Sequence, residues 1–290
     1  MAKPVVSPTL MLGVGVLAIS VSAILIRFAQ AGQTPSLVIA AWRMVMAAAV
    51  LWPLALWRRR DELKRVDSAE MPLALLAGVM LAAHFAAWIT SLAYTSVATS
   101  TVLVNTSPLW VALASPFLLK EPVGRPAKIG VGLVLLGSLL ISLADLGGGR
   151  APLIGNLLAL VGALTGSGYF LIGRRLRPHL SALTYTSLVY GIAAALLTGL
   201  CLATGQRLWG YPPQTYLLFA LMALIPQLLG HSSFNYALGF LPAAYVMVAV
   251  VSEPIGASLL ALLLLAEVPS RLTVLGGAVI LGGIIVAGRR

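Results

Sequence analysis

Residues 108–137 read PLWVALASPFLLKEPVGRPAKIGVGLVLLG, and 146 positions later residues 254–283 read PIGASLLALLLLAEVPSRLTVLGGAVILGG. Between the two stretches Pro108, Leu113, Leu118, Leu119, Glu121, Arg125, Gly130 and Gly137 return as Pro254, Leu259, Leu264, Leu265, Glu267, Arg271, Gly276 and Gly283. Self-similarity at half the chain length points to a duplicated unit rather than to two unrelated domains. The expected division is a first repeat over 1–146 and a second over 147–290. Both copies are apolar throughout, so the duplication belongs inside a lipid bilayer.

The composition leaves no alternative. Of 290 residues, 60% are hydrophobic and 9% charged, and the mean hydropathy is +0.99. One soluble core cannot hide that surface. Runs of about twenty apolar residues suffice to cross a hydrocarbon layer of roughly 30 Å as helices. Lipid demands that backbone polar groups be satisfied internally, which leaves helices or a closed barrel. The runs lack period-two alternation, so the fold class is an all-α polytopic membrane protein. Ten transmembrane helices are predicted, near 8–30, 35–57, 70–94, 98–119, 126–144, 152–173, 181–204, 214–236, 242–266 and 270–288. The first run begins after Lys3 and Pro4 without a small-residue cleavage pattern, so it is expected to stay as the first helix. Cys201 is the single cysteine and falls within a span, where it can form no internal disulfide.

The net charge of +11 is placed as a topology signal. With the N-terminus in the cytoplasm, that side collects Lys3, Arg58, Arg59, Arg60, Lys64, Arg65, Lys120, Arg125, Lys128, Arg174, Arg175, Arg177, Arg289 and Arg290. The outer side receives Arg150, Arg207 and Arg271. This is the positive-inside asymmetry, and it puts both termini inside. The basic residues are thereby accounted for without a nucleic-acid partner. No organelle-targeting segment is apparent, which makes a bacterial inner (plasma) membrane the expected location.

Five helices per half is an odd number, so the second half enters the bilayer from the opposite side to the first. Glu121 and Arg125 then face the cytoplasm, while Glu267 and Arg271 face outward. Two inverted five-helix repeats are the usual construction of secondary transporters, with a solute site near the midplane between them. The 5+5 layout, the Trp42-Arg43 pair in the second helix and the Pro-x12-Glu blocks closing helices four and nine resemble the drug/metabolite transporter superfamily. Within it the likeness is to the ten-helix branch with two EamA-type repeats, and it covers essentially the whole chain. Members of that branch export amino acids and other small metabolites, so the resemblance implies export. The halves are chemically unequal: where helix two carries Arg43, helix seven carries Leu188.

Charged residues inside a bilayer are costly and usually face a cavity or a partner. Glu253 is expected about 16 Å from the cytoplasmic start of helix nine, and Arg43 about 12 Å below the outer end of helix two. At these similar depths an ion pair across the inter-half cavity is possible. Its two readings are recognition of a zwitterion and a structural docking pair. Arg27 is near enough to a helix end to snorkel. Pro108 and Pro254 fall in helix interiors, where each would free a carbonyl, that of Val104 or Val250. Their equivalent positions favour a hinge role. His84 and Trp88 share one face of helix three, and His231 and Asn235 one face of the corresponding helix eight. Asn105 follows Thr101 by one turn on helix four. Tyr245 precedes Glu253 by eight residues on helix nine. Tyr169 lies beyond the small-residue stripe Gly162/Gly166 on helix six. Trp57 and Trp209, near span ends, read as interface anchors, whereas Trp42, Trp88, Tyr169 and Tyr245 lie deeper.

The expected solute-binding set is therefore Trp42, Arg43, His84, Trp88, Asn105, Tyr169, His231, Asn235, Tyr245 and Glu253. It suits a small organic solute, first an amino acid, with aromatic or other apolar ones among the candidates. Arg43 would meet the carboxylate, Glu253 or the freed carbonyls the ammonium, and the aromatics the side chain. Nucleotide sugars, drugs and organic cations are the alternative cargoes. A different class, an intramembrane serine protease, rests only on Gly256-Ala257-Ser258-Leu259 with His231 or His84 as base. Protease chemistry requires no inverted repeat. Long polar stripes that would mark a channel are absent from the sequence. There is no His-Glu-x-x-His zinc site and no Walker glycine loop, so neither enzyme activity, metal nor cofactor is expected. The stripe Gly162/Gly166 serves internal packing or a homodimer equally, leaving monomer and homodimer both open.

Overall fold

In the computed structural model, which describes residues 4–120, 122, 124–144, 151–266, 268 and 270–287, the apolar runs become helices joined by short turns. Lys3, Glu121, Arg150, Glu267, Arg289 and Arg290, and the expected junction at 146/147, lie outside the described residues. Among the described residues eight helices are long and apolar enough to cross a membrane: α1 Pro8–Ala31, α2 Ser36–Arg58, α3 Glu70–Ser91, α4 Val97–Leu118, α6 Pro152–Leu176, α7 Ala182–Ala203, α8 Pro213–Leu238 and α9 Ala243–Leu265. Two further helices, α5 Arg125–Ala144 and α10 Arg271–Ala287, take the fifth and tenth places. A short helical turn, Arg60–Lys64, follows α2. Among the described residues there is no strand.

The helix starts are written locally. Ser7, Ser96 and Ser181 cap α1, α4 and α7, each hydroxyl accepting an amide N–H of the first turn. Pro8, Pro152 and Pro213 occupy first-turn positions, where a missing N–H costs nothing. Large apolar side chains such as Phe117, Leu139, Leu157, Leu217 and Leu263 remain exposed on the outside of the bundle. In water such a surface would drive association; with lipid as the solvent it is the expected exterior.

Two spans are broken at equivalent places. α4 runs as Val97–Val104 and Ser107–Leu118, and α9 as Ala243–Val250 and Glu253–Leu265. The breaks, at 105–106 and 251–252, are 146 residues apart, the period of the sequence repeat. Pro108 and Pro254 were expected in helix interiors. Each instead sits in the first turn of the second half-helix, so the chain breaks just before it and restarts at a position proline favours. α1 has a turn at Val21, and α8 contains a π-helical segment, Ala223–His231, with Pro226 inside it.

The repeat glycines have a packing reason. α5 and α10 lie against each other, and a Cβ on Gly137 would come within 2.5 Å of the Gly276 carbonyl oxygen. At the other end of the contact, a Cβ on Gly283 would meet the Gly130 carbonyl at 2.8 Å. These four conserved-in-repeat positions thus face one another in pairs, and the pairing shows the two helices to be antiparallel. The Gly162/Gly166 stripe of α6 likewise packs internally, against Trp88 and His84 of α3.

Because the nearest neighbour of Gly137 is the Gly276 backbone, with Ile280 packed beside it, Gly137→Val is expected to destabilise the fold by about 1–3 kcal/mol, the usual cost of overpacking. Gly132→Ala, in open space on the same helix, should be neutral. Thermal unfolding of the two variants in detergent checks the contrast.

Candidate functional site

At the centre of the bundle, where the two broken helices meet α1, α3, α6 and α8, lies a cavity of about 40 Å³. Its polar lining is Ser22, His84, Asn105, Ser107, His231 and Glu253, and Trp88, Phe170 and Phe234 supply aromatic wall. Both halves contribute. Ser107 and Glu253, the first residues of the two second half-helices, occupy corresponding places in the repeat and both face the cavity.

Glu253 is the one carboxylate of the lining. It is 6% exposed, and its Oε2 accepts a hydrogen bond from Asn105 Nδ2 at 3.2 Å. The same Asn105 amide also donates to the Thr101 carbonyl at 2.7 Å, so the bond ties the break of α4 to the break of α9. His84 Nδ1 lies 2.8 Å from the Gly162 carbonyl. A carbonyl can only accept, so Nδ1 carries the hydrogen and Nε2 of the neutral ring is an acceptor. His231 approaches His84 at 6.3 Å between ring centroids, bringing histidines of α3 and α8, the third helices of the two halves, together. Its Nδ1 and the Trp88 Nε1 are buried without a hydrogen-bond partner in the structure. Unpartnered buried polar groups are rare because each costs about 1–3 kcal/mol, so two on one cavity wall mark groups that a polar ligand can satisfy.

Arg43 does not form the expected ion pair with Glu253. Its Nε donates to Gln227 Oε1 and its Nη1 to Ser22 Oγ, both at 2.8 Å. The guanidinium lies over the Phe85 ring, 4.2 Å from the centroid, and the residue is fully buried behind the cavity wall. The angular position of Arg43 on α2 turns it toward α1 and α8. It reaches the cavity only through Ser22. Since Ser22 Oγ accepts from Arg43, its own hydrogen is free to donate elsewhere, with a cation polarising the hydroxyl from behind.

Of the ten residues expected around a solute, the structure brings His84, Trp88, Asn105, His231 and Glu253 to the cavity and leaves the others elsewhere. Trp42 is one residue from Arg43 and hence about 100° round the helix. Its Nε1 donates to the Leu208 carbonyl at 2.8 Å, and its ring packs against Trp209, Tyr216 and Phe219. It anchors the α7–α8 connection. Tyr169 and Asn235 are fully buried in a separate knot, where Asn235 Nδ2 donates to the Tyr169 hydroxyl and, at 3.4 Å, to that of Tyr190. Tyr245 is 43% exposed. Eight residues already leave it about 80° from Glu253 on an ideal helix, and the break at 251–252 removes what register remained. The Gly256–Leu259 stretch is packing rather than chemistry: a Cβ on Gly256 would lie 2.4 Å from Ser20 Oγ, and Ser258 is not among the cavity residues.

Gln227, Ser22, Ser107, Phe85 and Phe170 were missed. Gln227 carried a signal, an amide in mid-span. The serines carried none, since small hydroxyls are common in membrane helices and usually satisfy themselves on the preceding turn.

The chain's two halves, residues 7–143 and 153–289, each match the EamA-like transporter family. Three curated proteins of Bacillus subtilis (strain 168) are similar to it. The uncharacterized transporter YwfM is 27% identical over 247 residues, covering 85% of this chain and 82% of that protein. The uncharacterized transporter YdfC is 26% identical over 190 residues, 65% of this chain. The uncharacterized transporter YetK is 31% identical over 99 residues, 33% of this chain. The matched regions span 61% of the length of YdfC and 30% of that of YetK. A solved crystal structure superposes with a TM-score of 0.73 at 20% identity, covering 97% of this chain and 96% of its own, and so shares the fold.

Hydrogen bonds to a charged group contribute about 1.5–3 kcal/mol each. Arg43→Ala removes two and strands Gln227, so a loss of about 3 kcal/mol or more is expected on unfolding in detergent. Ser22→Ala should cost distinctly less. Equal stability of Arg43→Ala and the wild type would contradict the assigned contacts.

Proposed function

Since the chain belongs to the EamA-like transporter family, we propose that it is a secondary transporter exporting a small organic metabolite by alternating access around the central cavity. The observation that carries this reading is the cavity's position. It lies where the broken helices of the two inverted halves meet, and its lining is drawn from both. Discontinuous helices at mid-membrane present backbone and side-chain polar groups to a solute in such carriers. The cavity volume supports a contracted state. At about 10–15 Å³ for each water, 40 Å³ holds about three waters and no organic solute. Loading therefore requires the halves to separate.

The first solute class is an amino acid with an apolar or aromatic side chain. Glu253 would take the ammonium, with His84 Nε2 as a second acceptor. The Ser22 hydroxyl, backed by Arg43, and the Trp88 Nε1–H would take the carboxylate. Trp88, Phe170 and Phe234 would enclose the side chain. This differs from the pattern expected from sequence, in which Arg43 itself met the carboxylate. A second reading, an organic cation, is favoured by one observation: the lining holds a carboxylate and no Lys or Arg. The distribution of basic residues supports an orientation with both termini in the cytoplasm and residence in a bacterial inner membrane.

Counterflow of a labelled amino-acid panel into proteoliposomes tests the proposal. Saturable exchange of a few related amino acids is expected, with Glu253→Gln lowering it at least about tenfold, the equivalent of one lost charge-assisted hydrogen bond. Ser22→Ala should raise KM for amino acids while leaving exchange of amines lacking a carboxylate unchanged. Tyr245→Ala, away from the cavity, should behave as wild type. Exchange of organic cations with no exchange of any amino acid would overturn the amino-acid assignment, and wild-type exchange by Glu253→Gln would overturn the site.

A further inference from the structure

A second cavity, of about 470 Å³, opens on the basic face between the end of α2, the α6–α7 connection and the end of α8. Its lining holds Arg58, Arg59, Arg177 and His179 and no carboxylate. The positive-inside pattern explains why arginines lie on this face. It does not explain why three converge on one cavity.

Arg177 is built in rather than draped over the surface. It is 8% exposed, and its guanidinium donates to the Asn235 carbonyl at 2.7 Å and to the Leu180 carbonyl. Burial lowers its pKa to about 10, so it remains a cation at neutral pH. Both of those bonds go to uncharged oxygens, and Glu62 is the one carboxylate whose charge acts on it. Ser181, Ala182 and Leu183 also line the cavity, bringing the start of α7 to it. Ser181 accepts the amide hydrogens of Thr184 and Tyr185, whereas the amides at the first two helical positions have no partner within a helix.

The chain itself shows that these groups accept an oxyanion. Glu62, from the Arg60–Lys64 turn, accepts the Ser181 N–H through Oε1 and lies 3.9 Å from Arg59 through Oε2. One carboxylate against three guanidiniums leaves a positive cavity. Trp57, next to the lining residue Arg58 at the end of α2, is 77% exposed and carries the Arg58 guanidinium 4.9 Å above its ring. Exposed tryptophans of membrane proteins settle at the headgroup level. The cavity therefore opens at the depth of lipid phosphates, with Val5 and Phe240 as apolar lining beside the charges.

From this arrangement we infer that the cavity binds the phosphate group of an anionic phospholipid, with Arg58 and Arg59 contacting it and Arg177 holding the positive field from behind. Basic pockets between membrane helices on the more basic side recognise such headgroups, and each basic residue near the surface strengthens binding severalfold. A soluble phosphate shares the chemistry. The exposed Trp57 favours the lipid.

The test uses the full chain in phosphatidylcholine nanodiscs with and without phosphatidylglycerol, reading Tm and the lipid retained in native mass spectrometry. Phosphatidylglycerol is expected to raise Tm and stay bound. The double variant Arg58→Gln with Arg59→Gln should weaken that binding about tenfold or more, while Arg207→Gln on the opposite face should not change it. Wild-type retention by the double variant would overturn the site, and equal loss in Arg207→Gln would show a general charge effect instead. If inorganic phosphate added to phosphatidylcholine discs stabilises as much as phosphatidylglycerol does, the lipid assignment is overturned.

Discussion

Within hydrocarbon no backbone group can turn to water, so a broken helix must find partners for the carbonyls it releases. The organisation of the centre follows from how the two breaks meet this demand. In α4 the side chains of the break add to the backbone bonds of Asn105 and Thr106: Asn105 Nδ2 donates to Thr101, Thr106 Oγ1 to Leu103 and Ser107 Oγ to Val104. The corresponding positions of α9 are Val251, Ser252 and Glu253. Valine has no donor and a carboxylate accepts. The second break is held by backbone bonds of Val251 and Ser252 to Met247 and Ala249, and Val250 faces the cavity. One half thus seals its own break, while the other leaves acceptor capacity at the centre.

The same inequality places the charges. A buried cation is expensive unless its hydrogen bonds are made, and Arg43 makes two, through Nε and Nη1, to neutral groups on each side of the inter-half boundary: Ser22 from the first half and Gln227 from the second, while its Nη2 is buried without a partner. The π-helical segment of α8 carries Gln227 and ends at His231, so a local widening of one helix serves both the arginine and the cavity wall. Such segments occur frequently at functional sites. Neutral partners leave the positive charge of Arg43 available as a field behind Ser22, opposite the Glu253 carboxylate.

The sequence made the fold legible because membrane folding reduces to few variables: apolar length, charge at the ends and the period of the repeat. The glycines Gly130, Gly137, Gly276 and Gly283 could be found by period alone, and their reason, close backbone contact of α5 and α10, needed coordinates. The site was half legible. Depth along a helix follows from counting residues, so Glu253, Asn105 and the two histidines were found. Direction around the helix does not follow, because α2, α8 and α9 each depart from a straight path or pack two polar faces. Trp42 and Tyr245 were misplaced by angle, and Tyr169 and Asn235 by a tyrosine knot that satisfies them away from the cavity. Ser22 could not be singled out at all, since its importance comes from the arginine it contacts.

Two kinds of contact join the parts of this protein, and they differ in how they can move. The α5–α10 contact brings glycine against backbone in both pairs, with Ile280 and Leu133 packed beside it. Around the cavity the halves are joined by side-chain hydrogen bonds, Asn105 to Glu253 and Arg43 to Gln227. If the halves rock as proposed, the first contact is suited to persist and the second to break. A net hydrogen bond to a charged group contributes about 1.5–3 kcal/mol, within reach of what a bound solute returns. An ammonium that replaces the Asn105 amide at Glu253 would compensate the lost bond in the same act that opens the cavity. A ligand shifts a conformational equilibrium only by its difference in affinity for the two states, and competition for one carboxylate is a direct way to supply that difference.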